Sequence, residues 1–112
     1  MGGGTADGAV LDRLFKVIEG RRDADPKVSR TARLFSRGKG KIAQKTGEEA
    51  VETVVAALDE TPQRVVEESA DLLYYLLVLW VETGIRPADV WAELAARAGV
   101  SGGKARKTPP KY

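Results

Sequence analysis

Apolar and polar positions recur at helical spacing through most of this chain, and no stretch alternates as a half-buried strand would. Val10, Leu11, Leu14, Phe15, Val17 and Ile18 follow the i, i+3, i+4, i+7 pattern. Asp7 is placed to cap this first helix, which should end near residues 20–22. Residues 23–27, containing Pro26, read as a loop. Ser29 then stands as the N-cap of a short helix carrying Ala32, Leu34 and Phe35, stopped by Gly38. A long helix is expected from about Lys41 to Leu58, with Gly47 tolerated at some cost in stability. Its apolar stripe is Ala50, Val51, Val54, Val55, Ala57 and Leu58. Thr61 as cap and Pro62 at the first helical position open the next helix, and Gly84 closes it. Pro87 opens a last helix that packs Val90, Trp91, Leu94 and Ala95 and ends at Gly99. The prediction is one all-α domain of about four to five helices over residues 9–99. A flexible leader at 1–8 and a flexible basic tail at 100–112 flank it.

Within the fourth helix, residues 72–81 are apolar on every side apart from two tyrosine hydroxyls. A helix with no polar face has to be surrounded, and a few short helices can hardly cover it. Assembly into a homodimer or higher homo-oligomer is therefore expected, with Trp80 and the tyrosines serving as core and interface. The same run is too short to span a membrane, so no membrane association is expected.

Composition narrows the chemistry. The chain of 112 residues has no cysteine, which fits a reducing, cytoplasmic setting and excludes disulfides and thiolate–zinc sites. It has no histidine either, so a metal site would have to use oxygen ligands, favouring hard cations such as Mg²⁺ or Mn²⁺. The net charge of +2 hides an asymmetry. Residues 21–45 carry nine basic side chains against Asp23 and Asp25, whereas residues 46–103 carry eleven acidic ones against Arg64, Arg86 and Arg97. A basic block followed by an acidic one suits a polyphosphate held by cations beside a metal held by carboxylates.

The acidic block is patterned. Residues three or four apart share a helix face, so Glu49 with Glu52, and Glu68 with Asp71, project as two carboxylate pairs. The turn at Thr61-Pro62 lets the two helices lie antiparallel and the pairs face each other. Four carboxylates converging beside apolar surface repel one another unless a cation neutralises them. Glu49, Glu52, Glu68 and Asp71 are thus the predicted metal ligands. Glu48 is the spare acid that could position a water or act as a further ligand. Lys39, Lys41 and Lys45, one to two turns earlier, and Arg30, Arg33 and Arg37 on the preceding short helix are the predicted phosphate-binding cations. The plainer alternative is intrahelical pairing of Lys45 with Glu48 or Glu49. It accounts for one Lys–Glu pair but not for three glutamates on one arc opposite a second acidic pair.

The block Ser29-x-Thr31-x-x-Leu34, Gly38-x-Gly40-Lys41-Ile42-x-x-Lys45, Glu48-Glu49-Ala50-x-Glu52 and Glu68-x-x-Asp71-Leu72-Leu73-Tyr74 resembles the phosphoribosyl-ATP pyrophosphohydrolases of histidine biosynthesis. These belong to the MazG-type all-α nucleoside-triphosphate pyrophosphohydrolases, whose pattern is E-E-x-x-E followed by E-x-x-D. The resemblance runs from about Leu11 to Ala98. It implies a MazG-like helical bundle completed by dimerisation. It also implies Mg²⁺-dependent hydrolysis of the α–β phosphoanhydride of phosphoribosyl-ATP to phosphoribosyl-AMP and pyrophosphate. Arg30 stands where an aromatic residue is expected, and Tyr75 where histidine is frequent. Two rival readings share part of the pattern. A house-cleaning pyrophosphohydrolase of free nucleotides would use the same carboxylates. A non-enzymatic helical dimer binding nucleic acid would use the basic block, but the dispersed cations and acidic centre argue against nucleic acid.

Overall fold

The structure is a computed structural model and describes residues 6–99 and 111–112. Within them lie five helices: α1 (Ala9–Arg21), α2 (Arg30–Ser36), α3 (Lys39–Asp59), α4 (Pro62–Thr83) and α5 (Pro87–Ala98). No strand occurs among the described residues, so the all-α expectation holds. The leader before residue 6 and the tail at 100–110 lie outside the described residues.

Local chemistry sets most boundaries. Ser29 Oγ accepts the Ala32 N–H at 3.0 Å and starts α2. Thr61 Oγ1 accepts the Arg64 N–H at 3.2 Å and starts α4, with Pro62 in its first turn. Gly84 ends α4 in the left-handed region at φ 81°, its N–H reaching the Trp80 and Val81 carbonyls. Two boundaries differ from expectation. α3 begins at Lys39 rather than Lys41, because Gly38 at φ 92° turns the chain sharply out of α2. The Ile42 N–H then closes on the Gly38 carbonyl at 3.2 Å. The N-cap of α1 is Gly8, while the Asp7 carboxylate accepts the Ala9 N–H at 2.9 Å.

α3 and α4 form an antiparallel hairpin with the most extensive contact in the molecule. α1 packs on α4, α2 bridges α3 and α4, and α5 leans on α1. Phe15, Ile18, Leu34, Phe35, Ile42, Tyr75, Leu77, Val78 and Val81 make the core. Each large apolar side chain buried there is worth about 1.5–3 kcal/mol. The first helix contributes less than its periodicity promised, since Val10 and Val17 face outward. On the last helix Leu94 is exposed, while Trp91 is half-buried and sets its ring edge-on to Trp80 at 5.9 Å.

The predicted stripe of α3 is where the fold departs most from expectation. Val51, Val54, Val55 and Leu58 are exposed, as are Val66 and Leu73 of α4. Leu58 keeps 77% of its surface. The inward face of α3 is instead Ile42, Glu49 and Ala56. α3 therefore turns one carboxylate inward and a band of valines outward.

Candidate functional site

Two consecutive helices build the site. Glu49 lies midway along α3, and Glu68 and Asp71 lie in the second and third turns of α4. The antiparallel hairpin brings one carboxylate oxygen from each of the three within 4.8 Å of the others. Glu49 and Glu68 are buried, with 9% and 6% of their surfaces exposed, and Asp71 is at the rim. Glu52, the fourth predicted ligand, is exposed and stands outside this group of three, though its charge still acts on Glu49.

The electrostatics are those of a site built for a positive guest. Burial, first of all, pushes the Glu49 carboxyl up to about 7. A hydrogen bond with Glu68 and the negative charges of Glu52, Glu68 and Asp71 add to the shift. Glu49 Oε2 is buried and has no hydrogen-bond partner. Buried polar atoms in folded proteins are nearly always satisfied, so an orphaned carboxylate oxygen on a residue clustered with two other carboxylates marks where a ligand belongs. Three clustered carboxylates and no nitrogen or sulfur donor fit a hard divalent cation such as Mg²⁺ or Mn²⁺.

Glu68 carries an additional tie that sequence reasoning did not reveal. Arg64, one turn earlier on α4, donates from Nη2 to Glu68 Oε2 at 2.5 Å, from Nη1 to Glu67 Oε1 at 2.5 Å and from Nε to Glu60 Oε1 at 3.3 Å. The i,i+4 spacing to Glu68 was the available signal, but the same spacing pairs Arg64 with Glu60 equally well.

The remaining predicted residues divide into two sets. Arg30, Arg33, Arg37 and Lys45, with Leu34 and Tyr75, line a cleft of about 230 Å³ between α2 and the α3–α4 hairpin. Lys39 and Lys41 stand outside that lining. Lys45 is one turn before Glu49 and Tyr75 one turn after Asp71, so the cleft adjoins the carboxylates at a distance of about one helical turn, roughly 5.4 Å along the hairpin. Lys45 pairs with Glu48 at 3.6 Å and not with Glu49. Glu48 is exposed, accepts a hydrogen bond from Gln44 at 2.7 Å and lies outside the three-carboxylate group. That hydrogen bond, before the nearby lysines, holds its carboxyl below the usual range.

The two positions that depart from the expected pattern meet each other. Arg30 Nη2 donates to the Tyr75 hydroxyl at 3.2 Å, and Thr31 Oγ1 and the Tyr74 hydroxyl share a hydrogen bond of 2.7 Å. The two rings meet edge to face at 5.2 Å. These contacts bind α2 to α4, the Arg30–Tyr75 bond within the cleft lining.

The chain is similar to known proteins of one family. A family described as "Phosphoribosyl-ATP pyrophosphohydrolase" matches residues 11–98. A phosphoribosyl-ATP pyrophosphatase of Paramagnetospirillum magneticum is 58% identical over 105 residues, covering 94% of this chain and 96% of the relative. One from Rhodospirillum rubrum is 59% identical over 93 residues, 83% of this chain and 80% of the relative. One from Parvibaculum lavamentivorans is 55% identical over 97 residues, 87% of this chain and 89% of the relative.

Proposed function

This chain belongs to the phosphoribosyl-ATP pyrophosphohydrolase family, and on that premise we propose that it hydrolyses phosphoribosyl-ATP to phosphoribosyl-AMP and pyrophosphate, the second step of histidine biosynthesis, with Mg²⁺. The observation that supports the metal reading most directly is the buried, unpartnered oxygen of Glu49, a residue that clusters with Glu68 and Asp71. Bound there, Mg²⁺ would neutralise phosphate charge and orient and acidify the attacking water. Glu49, Glu68 and Asp71 would supply its oxygen ligands, and Glu52 adds negative charge nearby. With no histidine in the chain, a carboxylate takes the proton of the water as the anhydride P–O bond breaks and pyrophosphate leaves.

The cationic cleft complements this. Arg30, Arg33, Arg37 and Lys45 hold phosphate oxygens one turn from the carboxylates. Tyr75, tied to Arg30, restrains that guanidinium within the cleft lining. Lys39 and Lys41, at the start of α3, stand outside that lining. Glu48 holds Lys45 in place through their ion pair.

Pyrophosphate release from phosphoribosyl-ATP, with Mg²⁺ and with EDTA, tests the activity. Mg²⁺-dependent release is expected. Turnover of free nucleoside triphosphates in preference to phosphoribosyl-ATP would instead favour a house-cleaning activity. Combined Arg33→Ala and Arg37→Ala replacement should raise KM about tenfold or more, since each charge-assisted hydrogen bond contributes about 1.5–3 kcal/mol. Steady-state kinetics on the double variant checks this, and an unchanged KM removes the cleft from the substrate site.

The apolar band on the hairpin supports a homo-oligomer. Val51, Val54, Val55, Leu58, Val66 and Leu73 together expose a patch more suited to an interface than to water. A second copy of this chain is the proposed cover. Val54→Glu should shift the protein toward the monomer in sedimentation at micromolar concentration, and an unchanged sedimentation coefficient counts against that face. None of the described helices is long and apolar enough to cross a membrane. A biosynthetic activity in a chain without cysteine suits the cytoplasm.

A further inference from the structure

Arg64 occupies a position that helix chemistry alone does not favour. It sits in the first turn of α4, where the helix dipole prefers negative side chains, and no acidic residue stands there. It nevertheless donates to three different glutamates. Two of these, Glu60 and Glu67, are well exposed, and ion pairs with such residues contribute little. The third differs. The Glu68 side chain is only 8% exposed, and Arg64 Nη2 engages one of its two oxygens, Oε2.

We propose that Arg64 is a positioning residue for the cation site: its guanidinium fork, braced on Glu60 and Glu67, holds Glu68 Oε2 and thereby presents Oε1 to the metal as a single-oxygen ligand. The proposal rests on the metal reading above and goes beyond it, because Arg64 lies outside every motif used to recognise the site. Three physical points carry it. A buried carboxylate beside two others would swing away from them to relieve repulsion, and an ion pair on one of its oxygens opposes that swing. A ligating carboxylate whose second oxygen is held by a donor keeps its orientation between metal-free and metal-bound states, which favours binding. Finally, Arg64 neutralises one charge of the cluster without entering it, so the metal-free protein tolerates the site.

The test is Mn²⁺ binding, read from the electron paramagnetic resonance of the free ion, with no substrate present. Arg64→Gln is expected to weaken Mn²⁺ about tenfold, the lower end of what loss of a ligand-orienting partner costs. Arg64→Lys should recover part of this, because a compact ammonium can reach Glu68 but cannot brace on three carboxylates at once. Glu67→Gln, which removes one brace and leaves Arg64 in place, should fall between wild type and Arg64→Gln. Circular dichroism in EDTA, before metal is added, shows whether the variants keep wild-type helix content. Mn²⁺ affinity in Arg64→Gln equal to or tighter than wild type overturns the proposal. Loss confined to a variant that has lost its helices also overturns it, in favour of a purely structural role. If wild-type protein binds no Mn²⁺, this proposal and the metal reading fall together. Failure in the variants alone sinks only the role of Arg64.

Discussion

Glu49→Gln is expected to lower turnover of phosphoribosyl-ATP by about 10²–10³-fold, the range seen when one preorganised electrostatic group is removed from an active site. The replacement preserves shape and most packing and removes only the charge. Glu49 is the one ligand on α3 inside the three-carboxylate group, so neither Glu68 nor Asp71 can substitute for it from α4. The same variant should gain stability without metal. In wild type a buried carboxylate faces two others with an unpartnered oxygen, whereas the amide is neutral. Thermal unfolding in EDTA at pH 8 should therefore occur at higher temperature in Glu49→Gln than in wild type. A domain of this size shifts its Tm by about 4–8 °C for each kcal/mol. An inactive variant with unchanged or lower Tm would point to a misfolded site instead of a missing ligand. Near-normal turnover would remove Glu49 from the machinery.

The second large effect is the opposite dependence of stability on pH and on metal. In the metal-free protein the Glu49 carboxyl is pushed up from its ordinary 4.5 to about 7, first by burial and then by its carboxylate neighbours. Between those two values the folded state binds more protons than the unfolded chain. Stability is thus fully present below about pH 4.5 as far as this group is concerned, and it is lost as pH rises through about 7. Groups elsewhere add their own pH dependence, and Glu49→Gln, which lacks this titration, is the reference that subtracts it. Metal reverses the trend. A divalent cation competes with the proton, so at pH 8 and a concentration a hundredfold above its Kd it should stabilise the fold by about 2.7 kcal/mol. Calorimetry in EDTA and in Mg²⁺ from pH 5 to pH 8.5 checks both signs. A wild-type Tm that does not fall relative to Glu49→Gln as pH rises in EDTA would refute the burial argument.

How much of this was legible in the sequence depended on whether the signal was local. Thr61-Pro62, Gly84, Pro87 and Gly99 each act through their own backbone or the next turn, and all four mark boundaries where expected. Gly38-Lys39-Gly40 misled because two glycines read as a break. Gly40 sits in the first turn of α3, where the backbone N–H lacks an intrahelical partner in any case. The carboxylate pairs were visible because helical spacing fixes which face they share. That Glu52 falls outside the group while Glu49 is buried depends on how α4 seats against α3, which no spacing rule supplies. The outward valines of α3 were expected to pack. Their periodicity is real, but periodicity gives a face and not its occupant. The Arg30–Tyr75 bond joins residues far apart in sequence, so each appeared alone as an unexplained departure from the family pattern.

Because every predicted metal ligand lies on two neighbouring helices joined by a short turn, the site is a product of local topology. Contacts of short sequence separation form early, since little loop entropy opposes them. The α3–α4 hairpin can thus gather Glu49, Glu68 and Asp71 before α1 and α5 dock. The repulsion among them is then felt in the folding transition state and not only in the finished protein. Acid and divalent cation should consequently quicken refolding, and variants such as Glu49→Gln should refold faster than wild type in EDTA. A function-bearing cluster thereby becomes a kinetic element of the fold, timing how soon the hairpin closes.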